Sequence, residues 1–146
     1  MHEPLPDTDL WKEVYSRRPS DLRKLSDLPD WRVAHGEPDI RGWTVFDEDN
    51  RRPYGTCDDL LVSTDIALAV FMILYTGEVM GESGVDYGLH AISNDRYIPV
   101  PMDRIELDRP DRRVLMLCSF AQLQDAPDFD SASHDYGPYY DYWSSI

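Results

Sequence analysis

The chain reads as mainly β: about six strands, short helices near the two ends, and extended terminal arms. Three observations predict this. Short runs rich in β-branched and aromatic residues recur through the middle. Clusters of Asp, Asn, Ser, Gly and Pro separate them, which is turn chemistry. Asp39–Val62 reads as a β-hairpin, two apolar runs flanking the polar turn Asp47–Asn50, with Gly42 and Gly55 where each strand needs backbone freedom. At 146 residues one domain is expected.

Residues 1–8 read as an arm. Asp9 is placed to cap a short helix through Arg17, with Leu10 and Val14 on one face and Trp11 and Tyr15 beside them. Pro19 ends it, and Ser20 or Asp21 caps a second short turn carrying Leu22, Leu25 and Leu28. Trp31–Ala34 is a strand or extended lead-in, closed by Gly36 and Pro38. Strands are expected at 41–46, 53–62, 67–76, 96–100, 104–108 and 112–118. Residues 77–95 hold four glycines and form a long loop, of a length that is uncommon in compact domains. Ser119–Asp125 is one helical turn or two, stopped by Pro127. The expected organisation is an N-terminal arm and helix at 1–19, a central β domain at 20–128, and an acidic-aromatic tail at 129–146.

Composition narrows the function. A net charge of −14 disfavours nucleic acid, whose phosphates need a basic surface. It favours a basic partner, or plain solubility. Cys57 and Cys118 sit in apolar runs and read as buried free thiols. No basic stretch followed by an apolar core opens the chain, so a cytoplasmic location is expected. The longest apolar run, Ile66–Tyr75, is about half the roughly 20 residues of a membrane helix.

The chemical motifs point away from catalysis. His134 with Asp130, Asp135 and Asp141 matches no ligand spacing, so no metal is expected. His90 has no nucleophile near it in sequence. Gly77, Gly81, Gly84 and Gly88 spell no phosphate loop, and Asp58 and Asp59 point to opposite faces of a strand. No cofactor is expected, and no set of nucleophile, base and oxyanion donors assembles.

Two segments invite a protein partner. Ile66–Tyr75 is apolar on both faces, whereas a strand with one wet face alternates. It is therefore covered, by this chain's own ends or by another protein, with Ile66, Leu68, Val70, Phe71, Ile73 and Tyr75 as candidate contacts. From Gln124 onward the tail has five aspartates, no Lys or Arg, and six aromatics. Phe129, Tyr136, Tyr139, Tyr140, Tyr142 and Trp143 are candidate anchors, with carboxylates as rim charges. The alternative is a tail folded back on its own domain.

The run Leu25-x-x-Leu28, Trp31-x-Val33-Ala34-x-Gly36-x-Pro38-Asp39-Ile40-Arg41-Gly42-Trp43-x-Val45 with Gly55-Thr56, then Tyr97-Ile98-Pro99-Val100-Pro101-Met102-x-x-Ile105 and Ser119–Pro127, resembles the PRC-barrel family. That family includes the cytoplasmic barrel of the photosynthetic reaction-centre H subunit and stand-alone bacterial proteins. The resemblance covers about residues 20–128 and implies a small PRC-type β-barrel. It also implies a non-catalytic accessory subunit docked on the cytoplasmic face of a membrane complex, most specifically a reaction centre, and so peripheral at the inner membrane. Ser63, Ile66 and Val70–Ile73 stand where the family carries carboxylates, which argues against proton delivery to a quinone. The alternatives are a free cytosolic stress-related homodimer and a ribosome-maturation-type adaptor.

Overall fold

The structure, a computed structural model, describes residues 8–33, 36–49, 51–77 and 96–145. Helix α1 (Thr8–Arg17) leads into β1 (Leu22–Lys24) and a 3₁₀ turn at Leu25–Asp27. Strands β2 (Thr44–Phe46), β3 (Pro53–Ser63) and β4 (Leu68–Tyr75) follow. Beyond the undescribed stretch come β5 (Tyr97–Pro101), a 3₁₀ turn at Met102–Arg104, β6 (Ile105–Asp108) and β7 (Arg113–Met116). Helices α2 (Phe120–Asp125) and α3 (Gly137–Ser144) end the chain. The long loop expected at 77–95, with His90 and three of its four glycines, lies outside the described residues apart from Gly77, as do the first seven residues and Ala34.

The seven described strands form one mixed sheet in the order β5-β4-β3-β2-β7-β6, with β1 also paired to β3. The 11-residue β3 organises it. Its early half pairs with β2 (Thr44 opposite Thr56) and its late half with β1 (Leu22 opposite Ser63), while β4 runs along the other edge. Register shifts at Cys57/Asp59 and Leu61/Val62 bend β3 along its pairing with β4. Among the described strands only β2 and β7 pair in parallel.

Two expectations are corrected here. The sheet is not closed, so the PRC-barrel resemblance and the small-barrel fold class do not hold: β5 and β6 are its two ends. The physical reason lies in β5. Pro99 and Pro101 have no N–H to give a further strand. The carbonyl of Tyr97 accepts from the Phe129 N–H at 2.7 Å, and that of Pro99 accepts from the Trp143 indole N–H at 2.9 Å. Without N–H groups at Pro99 and Pro101, and with the Tyr97 and Pro99 carbonyls bonded to the tail, the outer edge of β5 has little to offer β6. The second short turn is likewise not a helix at Leu22. β-Pairing with Ser63–Leu61 makes Leu22–Lys24 a strand, and only Leu25–Asp27 turns.

The core lies on both faces of the central strands. Val70 to Leu74 in β4 are all buried. Phe71 meets Tyr140 at 5.1 Å and Tyr139 edge-on at 6.1 Å between ring centroids, so α3 covers that face. Pro138 in the first turn of α3 suits a helix start, because its missing N–H would have no partner there. Ser119 caps α2 through a reciprocal pair: Gln122 N–H to the Ser119 hydroxyl, and Ser119 N–H to the Gln122 side chain. Trp11 and Val14 of α1 join the same core.

Candidate functional site

The residues expected to contact a partner are for the most part inside this chain. Val70, Phe71 and Ile73 are buried, Ile66 and Leu68 are half-buried against the core, and Tyr75 is half-buried and stacked on Tyr97. In the tail, Tyr136, Tyr139, Tyr140 and Trp143 are buried, while Phe129 and Tyr142 are half-buried. Their polar ends are satisfied internally. The Tyr136 hydroxyl donates to the Leu22 carbonyl (3.0 Å) and that of Tyr140 to the Pro19 carbonyl (2.7 Å). The Tyr142 hydroxyl donates to the Gln122 carbonyl, and Arg104 donates to the Trp143 carbonyl at 3.0 Å. An acidic-aromatic tail thus has the composition of a ligand and the burial of a core element. Among the described residues Tyr97 is the one large hydrophobic that is exposed.

The polar groups outside that core are mostly structural. Asp59 is buried and accepts from the Ser26 amide and hydroxyl and from the Leu60 N–H at 2.8 Å. Asp21 accepts from the Ser63 and Thr64 hydroxyls (2.9 and 3.0 Å) and the Asp65 N–H (2.7 Å). Burial alone would raise its pKa, yet these donors together hold it below the ordinary carboxylate value. Asp103 shows the opposite balance: burial raises it, and the Tyr15 hydroxyl at 2.9 Å only partly offsets that. Cys57 and Cys118 are free thiols. Burial lifts both, Cys118 to about 11 and Cys57 further. Neither is a thiolate at neutral pH. No group of three His, Cys, Asp or Glu among the described residues is placed to hold a metal.

Several cations are taken up by neighbouring carboxylates. Arg17, Arg18, Arg41, Arg96 and Arg109 are ion-paired with Glu13, Asp141, Asp39, Asp128 and Glu37. Arg113 lies 4.4 Å above the Phe46 ring. Asp27, Asp30, Asp58, Asp125, Asp130 and Asp135 are exposed and outside these pairs. An open groove of about 660 Å³ runs between Ser20–Asp27 and the segment Phe129–Tyr136. Sequence reading missed this groove, since it forms only when the tail lies against β1, and the tail's composition carried no signal of that.

Comparison with protein-family models finds no match, and comparison with curated proteins finds none either. Together with the open sheet, this leaves nothing tying the chain to a reaction-centre complex. The expected accessory-subunit role and its stress-homodimer and ribosome-maturation alternatives are withdrawn with the barrel. Among the described residues no helix is long and apolar enough to cross a membrane.

Proposed function

We propose that the protein is a non-enzymatic binding module whose acidic surface engages a positively charged protein partner. One observation carries this: the chain has a net charge of −14, and Asp27, Asp30, Asp58, Asp125, Asp130 and Asp135 stand exposed outside the ion pairs. Exposed carboxylates of one sign steer a basic partner and discriminate against acidic ones. Supporting the non-enzymatic reading, the most buried carboxylate, Asp59, is held by internal donors, and both thiols stay protonated. A nucleophile needs a base within hydrogen-bond reach, which neither thiol has among the described contacts.

The test is affinity capture on the immobilised full chain from an extract of the source cells, eluted with a salt gradient. A charge-matched unfolded polyacid serves as control. The reading expects one or a few basic proteins, retained in fixed stoichiometry, absent from the control and released as salt rises. Retention no different from the polyacid, or insensitive to salt, overturns it.

A further inference from the structure

We infer that the groove beside β1 is a binding site for a phosphate group. Arg23, Lys24 and His134 line it. Arg23 and His134 make no side-chain hydrogen bond or ion pair among the described residues. The Lys24 ammonium lies 5.6 Å from the Phe129 ring centroid with no carboxylate paired to it. Arg23, Lys24 and His134 thus line one groove with no carboxylate among the described residues paired to any of them. Arginine and lysine are the side chains that bind phosphate, arginine by its planar fork and lysine as a point charge.

The groove is also preformed. The Tyr136 hydroxyl bonds the Leu22 carbonyl, which ties the tail wall to the strand wall. Lys24 bridges the same two walls through Phe129. A site that is already assembled loses little freedom when a ligand enters. Two carboxylates share the groove. Asp21 is turned into the donors of Ser63, Thr64 and Asp65. Asp27 is exposed and opposes an anion.

The phosphate belongs either to a free oxyanion or to an aryl-type ester whose ring packs on Phe129, and two probes distinguish these. Amide resonances of the full chain are followed by NMR while inorganic phosphate or phenyl phosphate replaces chloride at constant ionic strength. Saturable shifts confined to the Arg23–Lys24 and Ser131–His134 segments are expected. Equal affinity for the probes assigns a free oxyanion, and tighter phenyl phosphate binding assigns the ester; either supports the site. Arg23→Ala weakens binding roughly tenfold, and Asp27→Asn tightens it. Arg51→Ala, an exposed arginine at the β2–β3 turn, leaves it unchanged. Shifts that do not saturate, that chloride reproduces, or that Arg51→Ala reduces as much as Arg23→Ala mean general charge attraction and overturn the proposal.

Discussion

The indole N–H of Trp143 donates to the carbonyl of Pro99 at 2.9 Å, with the ring wholly out of water. That single bond joins the last helix to the edge strand of the sheet. Trp143→Phe keeps most of the ring and removes the donor, which leaves a buried carbonyl unpaired. A loss of about 1–3 kcal/mol is expected. Trp143→Ala also removes the ring and costs about 3–5 kcal/mol. Urea unfolding measures both, and a Trp143→Phe variant as stable as the natural chain would show that the hydrogen bond contributes nothing.

Gly42 and Gly55 separate two reasons for a glycine. A Cβ at Gly42 meets nothing within 4 Å, so only its φ of +87° opposes alanine. About 1 kcal/mol of destabilisation is expected there. A Cβ at Gly55 comes 1.9 Å from the Tyr75 carbonyl oxygen, a backbone atom of the paired strand. Gly55→Ala must part β3 from β4 and costs about 3 kcal/mol or more. Thermal unfolding of the two variants side by side tests the ordering.

Asp59 holds the 3₁₀ turn after β1 to β3, accepting from Ser26 and from the Leu60 N–H. Asp59→Ala strips the acceptor from these donors, and about 1–3 kcal/mol is lost for each buried group left unpaired. Ser26→Ala, which removes one exposed donor, costs about 1 kcal/mol. Denaturant midpoints check the difference.

Two carboxylates give opposite pH signatures. Asp21 has a lowered pKa in the folded chain, because its donors outweigh the effect of burial. Its contribution is present above the unfolded carboxylate value and is lost as pH falls through the lowered one. The stability gap between the natural chain and Asp21→Asn therefore narrows in acid. Asp103 has a pKa raised by burial, so the folded state holds that proton more tightly. Its contribution is fullest in acid and is lost as pH rises through the raised value. The stability of Asp103→Asn relative to the natural chain should accordingly improve from pH 3 to pH 7. Urea unfolding across that range would reveal any reversal of either trend.

Much of the strand pattern was legible because alternation and turn chemistry are local. The runs expected at 53–62, 67–76 and 104–108 coincide closely with β3, β4 and β6, and the helical turn expected at Ser119–Asp125 is α2. What failed was long-range. Nothing local distinguishes a closed barrel from an open sheet. The difference lies in Pro99, Pro101 and the capping of β5 carbonyls by residues some 30 to 44 positions later. Leu22–Lys24 was misread because three residues next to leucines at helical spacing became a strand only through β3. The helix Gly137–Ser144 escaped notice because Gly137 and Pro138 mark a turn as readily as a helix start. The groove lining was invisible for the same reason: Arg23 and His134 are brought together by the tail's path.

The central claim is that the acidic-aromatic tail belongs to the fold, sealing β5 and covering Phe71. Amide hydrogen exchange at Phe71, Ile98 and Val100 tests it most directly, comparing the full chain with one ending at Ala126. Slow exchange in the full chain and a large acceleration in the shortened one are predicted. Protection unchanged by the truncation would mean that the tail is an appendage, and the account would be contradicted.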